Sequence, residues 1–158
     1  VLQEPGIVER RDGSLLMFMR TTARSQYFSE SNDGGETWSV PQPSPLKSPL
    51  SPASIERISS TGDLLCVWND HGALPSGSKL ADKRTPLCVA ISRDDGKTWQ
   101  PSRTLEENVD GWFCYTAVEF VGDDVVLAYC ASDLKQSERL ADTQITRFPV
   151  KWLYEASR

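Results

Sequence analysis

Four residues of this 158-residue chain have the types to hold an anion and move a proton beside it: Glu4, Arg20, Arg84 and Tyr115. A guanidinium grips a carboxylate through two parallel charge-assisted hydrogen bonds, and a carboxylate next to a phenol can take its proton. Asn69, Asp70 and His71, the single histidine, form a contiguous polar stretch that extends the set. Residues so far apart in sequence belong together only if the elements that carry them are related, and a repeat relates them.

Two octapeptides match position by position: Ser31-Asn32-Asp33-Gly34-Gly35-Glu36-Thr37-Trp38 and Ser92-Arg93-Asp94-Asp95-Gly96-Lys97-Thr98-Trp99, with 61 residues from serine to serine. Both read Ser-x-Asp-x-Gly-x-Thr-Trp. In such a box the aspartate accepts hydrogen bonds from backbone N–H groups of the turn, and the glycine permits a positive φ. The threonine hydroxyl closes the loop and the tryptophan packs between neighbouring strands. An acidic, glycine-containing loop also invites a calcium reading, but the alternating oxygen ligands of a calcium loop are absent. The boxes are therefore read as structural, and no metal is expected.

The surroundings repeat as well. Ile7-Val8-Glu9, a turn at Asp12-Gly13 and Leu15-Leu16-Met17-Phe18 precede the first box. Ser54-Ile55-Glu56-Arg57-Ile58, a turn at Thr61-Gly62 and Leu64-Leu65-Cys66-Val67-Trp68 precede the second. A third copy runs through Ala117-Val118-Glu119-Phe120, Gly122-Asp123 and Val125-Val126-Leu127-Ala128-Tyr129. Short apolar runs around glycine turns signal hairpins, and no long stretch has helical periodicity. Each unit reads strand, tight turn, strand, loop, strand, box turn, strand, which is a propeller blade. The chain is thus expected to be all-β, with about three four-stranded blades spanning residues 1–48, 49–107 and 108–158. The third unit lacks a box and ends on Phe148-Pro149-Val150 and Lys151-Trp152-Leu153-Tyr154. Loops at 70–84 and 132–141 are long and polar, as binding loops are.

Strand polarity places the candidates. In an up-and-down blade the first and third turns lie on one face, so both boxes and all three glycine turns share the bottom. The top collects the start of strand one, the end of strand two and the start of strand three. Glu4 is expected just before the first strand, Arg20 at the end of the second, Arg84 at the opening of the third strand of blade two, and Tyr115 at the opening of blade three. Asn69-Asp70-His71 falls on the same face.

On these residues the chain resembles the C-terminal half of a sialidase (neuraminidase), along nearly its whole length. Members of that family carry Asp boxes on a six-bladed propeller. The segments that match are Glu4-Pro5-Gly6-Ile7-Val8-Glu9, Met19-Arg20-Thr21, Arg84, and Tyr115-Thr116-Ala117-Val118. The resemblance implies hydrolysis of a terminal sialic acid or related acidic sugar, with Tyr115 as nucleophile, Glu4 as its base, and Arg20 and Arg84 as two members of an arginine triad. It suits the chemistry, because a carboxylate nucleophile would be repelled by the sugar's own carboxylate and a phenol would not. The family also uses a third arginine and an aspartate acid/base from early blades, and no Arg-Ile-Pro segment of that kind occurs here. Two arrangements would close the ring: a missing N-terminal half of the same protein, or a two-fold homodimer.

Composition narrows the alternatives. The formal net charge is −5 and no Lys/Arg block stands out, which argues against nucleic-acid and anionic-membrane partners. No apolar run approaches the roughly 20 residues of a membrane helix. Cys66, Cys88, Cys114 and Cys130 lack zinc-site spacing and read as buried free thiols. Cys114 and Cys130 flank one hairpin and can face each other, so one disulfide stays open, and with it the compartment. No cofactor is called for, and the expected partner is a carbohydrate. Two other readings fit the pattern: another carbohydrate-active enzyme such as a polysaccharide lyase, in which His71 and Asp70 would matter more, and a glycan-binding or structural propeller module.

Overall fold

The computed structural model describes residues 1–71 and 82–155. The first sheet comprises β1 (Leu2–Glu9), β2 (Leu15–Thr21), β3 (Ser25–Ser31) and β4 (Gln42–Lys47), paired antiparallel in chain order. The second repeats this with β5 (Ser54–Arg57), β6 (Leu64–Trp68), β7 (Leu87–Ser92) and β8 (Arg103–Glu106). The third holds β9 (Gly111–Val121), β10 (Asp124–Asp133) and β11 (Thr143–Pro149). The chain is all-β, with successive sheets forming the blades of a sialidase-type propeller. Among the described residues the third blade has three strands, not four. The apolar segment Val150–Tyr154 forms a single 3-10 turn that packs Val150 and Leu153 into the core. No helix among the described residues is long and apolar enough to cross a membrane.

Alternation along the strands builds two cores, one in each gap between blades. Val8, Leu16 and Phe18 of the first blade meet Ile55, Leu64, Cys66 and Trp68 of the second. The opposite face of the second blade, Leu65, Val67, Val89 and Ile91, meets Val125, Leu127 and Tyr129 of the third. Leu64 and Leu65 are neighbours in sequence and both are fully buried, because the middle blade is covered on both faces. Full burial of each such side chain contributes about 1.5–3 kcal/mol.

The two boxes form the same four hydrogen bonds. Ser31 Oγ donates to Asp33 Oδ1 at 2.8 Å, Gly35 N donates to Ser31 Oγ at 2.9 Å, and Thr37 donates to Asp33 through its N–H at 2.9 Å and its hydroxyl at 2.5 Å. Ser92, Asp94, Gly96 and Thr98 do the same at 2.8, 2.8, 2.8 and 2.6 Å. Trp38 Nε1 donates to Gly35 O at 3.0 Å, while Trp99 packs against the first core.

The second box also ties blades together. Arg11 and Arg57 both pair with Asp95, at 2.9 and 3.0 Å, and Arg10 donates to the Asp95 carbonyl at 2.9 Å. Asp95 stands in the left-handed region at φ 58°, a conformation costly for a non-glycine residue that these partners hold in place.

Two expected outcomes arise here. Gly96 has φ +89° and an added Cβ would lie 2.8 Å from Leu16 Cδ2, whereas at Gly35 (φ +96°) the nearest atom would be 3.5 Å away. Gly96→Ala should therefore destabilise by about 1–3 kcal/mol and more than Gly35→Ala; equal midpoints in urea would refute the difference.

The second concerns pH. The Thr37 hydroxyl and N–H and the Ser31 hydroxyl hold the Asp33 carboxyl at about 2, below its ordinary 3.8. At Asp94, burial pushes upward, but Thr98 and Ser92 outweigh it and hold the group at about 2. Both values are depressed on folding, so their stabilisation is complete above the unfolded value and is lost as pH falls through the folded one. The thermal midpoint should drop between about pH 4 and pH 2, and the Asp33→Asn, Asp94→Asn double variant should show a flatter profile there.

Candidate active site

Glu4 and Tyr115 are 111 residues apart and touch: Tyr115 Oη donates to Glu4 Oε1 at 3.3 Å. The same Oε1 lies 2.8 Å from Arg20 Nη2, and Arg20 also donates to Gln3 Oε1 at 3.1 Å. Arg84 stacks on the Tyr115 ring, with its central carbon 5.3 Å from the ring centroid, and on Trp112 at 4.9 Å. One carboxylate, two guanidiniums and a phenol thus meet where the inner strands of the first and third blades converge.

Two irregularities build this meeting point. Glu4 and Tyr115 stand in the left-handed region, at φ 50° and 56°. The ladder shifts register beside each of them, between Gln3 and Gly6 on β1 and opposite Ala128 and Cys130 on β9. A bulge bends the strand and re-aims a side chain, and a non-glycine residue held at positive φ costs about 1–3 kcal/mol. The strands consequently run past the starts expected from sequence. Glu4 lies inside β1, Tyr115 sits midway along β9, and Arg84 lies three residues before β7. Arg20 does lie at the end of β2.

Burial separates the roles. Arg84 is only 9% exposed while Tyr115 is 47% exposed, so a deep cation underlies an accessible phenol. Arg84 Nη1 and Arg20 Nε are buried and have no hydrogen-bond partner. Guanidinium N–H groups that are buried and unpaired are costly. Arg139, from the β10–β11 loop, also stacks on Trp112, at 4.2 Å, so the indole has two guanidinium neighbours. Trp112 and Arg139 were not singled out from sequence; aromatic stacking leaves no spacing signature.

The polar stretch Asn69-Asp70-His71 does not join this group. Asn69 is buried, accepts from Ser51 Oγ at 2.5 Å and donates to Pro86 O at 3.1 Å. It occupies in blade two the place Arg20 holds in blade one, five residues after the first residue of the second strand, and its amide is spent on the backbone. Asp70 accepts from Ser102 Oγ at 2.7 Å, and His71 Nε2 bonds Lys83 O at 2.5 Å. All three brace the ends of the 70–84 loop, most of which (72–81) lies outside the described residues. Among the described residues, no three His, Cys, Asp or Glu side chains converge as metal ligands.

Known structures share this fold. A leech intramolecular trans-sialidase, solved with 2,7-anhydro-Neu5Ac, superposes with a TM-score of 0.70 at 20% identity, covering 95% of this chain and 24% of that one. The intramolecular trans-sialidase of Ruminococcus gnavus, in complex with oseltamivir carboxylate, gives 0.70 at 18%, covering 98% and 34%. An alpha-L-arabinanase of Penicillium chrysogenum, complexed with arabinobiose, gives 0.61 at 14%, covering 92% and 45%. The chain therefore spans between a quarter and a half of the length of these proteins. No curated protein matches it. The family model of the BNR repeat-like domain matches residues 2–127, most of the chain, and the protein belongs to that family.

Proposed function

We propose that this chain supplies half of the substrate site of an exo-acting, retaining glycosidase of sialidase type, acting on a terminal acidic sugar. The observation that carries the reading is the shared Glu4 oxygen, 2.8 Å from Arg20 and 3.3 Å from the Tyr115 hydroxyl, above a buried Arg84. In the proposed step the Tyr115 oxygen attacks the anomeric carbon while its proton passes to Glu4. Arg20 and Arg84 hold the sugar carboxylate beside that carbon. The bond to the leaving-group oxygen breaks with a proton from an acid outside this chain. Water then gives a proton to the conjugate base of that acid and releases the sugar from the tyrosine, whose oxygen takes its proton back from Glu4.

The similarity to glycosidases of both acidic and neutral sugars supports a glycoside-hydrolase module; the two arginines favour the acidic one. Asp70 and His71, the residues a lyase reading would use, bond Ser102 and the Lys83 carbonyl, and this favours the glycosidase reading. Apolar residues remain exposed on the outer blades, Ile7 at 53% and Ile145 at 71%, as expected of surfaces that further blades cover. The test is turnover by the protein with its ring complete, offered an aryl sialoside and an aryl arabinofuranoside. Release from the sialoside supports the proposal; release from the arabinofuranoside alone overturns it.

A further inference from the structure

Cys114 and Cys130 are directly opposite each other across β9 and β10, with Cys114 immediately before Tyr115. Residues in register on antiparallel strands point to the same face, with Cα atoms about 4.5 or 5.5 Å apart. Both spacings fall in the roughly 4.4–6.8 Å range a disulfide spans. All four cysteines are free thiols in this structure, and the other two are arranged differently. Cys66 pairs with Ala90, and Cys88 with Trp68, so they are diagonal neighbours about 7–8 Å apart, beyond that range.

We propose that Cys114 and Cys130 form an oxidation site, a vicinal dithiol that a small peroxide converts to a cross-strand disulfide beside the site tyrosine. Cys130 is half-buried and open to a small oxidant, whereas Cys114 is 2% exposed. The Cys130 sulfur attacks one peroxide oxygen, the O–O bond breaks, and Cys130 becomes a sulfenic acid as the other oxygen leaves and is protonated to water. The Cys114 sulfur then attacks the Cys130 sulfur, and the S–O bond breaks. The Cys114 proton leaves with that oxygen as a second water. Two thiols are oxidised, one peroxide is reduced, and atoms balance.

The surroundings favour this pair. The Cys114 thiol makes side-chain contacts with both Cys130 and the Arg84 guanidinium; burial pushes its pKa up, and Arg84 pulls it back. Cys66, fully buried and pushed far above its ordinary value by that burial, has no such cation. The disulfide would clamp β9 to β10 at the bulge that aims Tyr115 and withdraw the Cys114 thiol from Arg84. This inference does not depend on the proposed hydrolysis.

The experiment uses the reduced full chain, treated with hydrogen peroxide, unfolded and alkylated with iodoacetamide. The untreated chain is expected to take four labels and the treated chain two, on Cys66 and Cys88, with a digest yielding the peptide that joins Cys114 to Cys130. Four labels after treatment, Cys130 recovered only as sulfinic acid, or a crosslink to Cys66 or Cys88 would each overturn the proposal. Cys130→Ser, at the more exposed position, should keep the native circular dichroism and lose the crosslink, and Cys114→Ser should lose it too. A crosslink surviving in either would also overturn it.

Discussion

Tyr115→Phe is expected to lower turnover of an acidic glycoside by at least about a thousandfold in the ring-complete protein, with the thermal midpoint nearly unchanged. The substitution removes one oxygen. That oxygen makes a 3.3 Å bond to Glu4 and belongs to a ring that is 47% exposed, so little stability goes with it. Arg84 keeps its stacking on the phenyl ring, and Glu4 keeps its pair with Arg20. What disappears is the proposed nucleophile. Steady-state kinetics with an aryl sialoside measures the loss; turnover within tenfold of the parent would remove Tyr115 from the chemistry.

Arg84 gives the second large effect, and its sign differs between stability and binding. The guanidinium is 9% exposed, its Nη1 has no hydrogen-bond partner, and no carboxylate pairs with it among the described residues. A buried cation in that state is costly. Arg84→Met keeps an unbranched chain and favourable contacts with Trp112 and Tyr115, and is expected to raise the thermal midpoint by about 2–4 °C. Affinity for an acidic sugar should fall about a hundredfold, the loss of roughly 3 kcal/mol for a charge-assisted pair. A residue kept for packing would give a lower midpoint and unchanged binding. Arg84→Lys should recover only part of the affinity, since an ammonium cannot present two parallel donors.

The sequence was informative wherever a local rule acts. The two boxes were legible because each residue type in Ser-x-Asp-x-Gly-x-Thr-Trp serves its own turn, and the four bonds recur in both. That Glu4, Arg20, Arg84 and Tyr115 would meet on one face was legible through strand polarity and family resemblance. Polarity assigns Asn69 a face and says nothing of depth; its amide is buried and bonded to Ser51 and Pro86. The bulges at Glu4 and Tyr115 were not legible, since a positive φ at glutamate or tyrosine leaves no mark in composition. The fourth strand expected in blade three failed where Pro149 removes a ladder donor and the chain turns into a 3-10 segment. Long-range pairs such as Arg11 and Arg57 with Asp95, and the Arg84–Trp112–Arg139 stack, depend on how blades dock.

The strain at Glu4 and Tyr115, the unpaired Arg20 Nε and Arg84 Nη1, and the buried cation all lie within one cluster. Local costs of that kind are expected of a site whose ligand offsets them, as the proposed function requires. In both boxes, by contrast, the serine, aspartate and threonine side chains are bonded within their own turn.

The most direct measurement is a titration of this chain with N-acetylneuraminic acid and, separately, with its methyl ester, followed through the Tyr115 ring signals in NMR spectra. The account predicts that the acid shifts those signals in a saturable way and that the ester, lacking the carboxylate, leaves them in place. Equal shifts with acid and ester, or no shift with the acid, would contradict the claim that Arg20 and Arg84 read an anionic sugar beside the tyrosine.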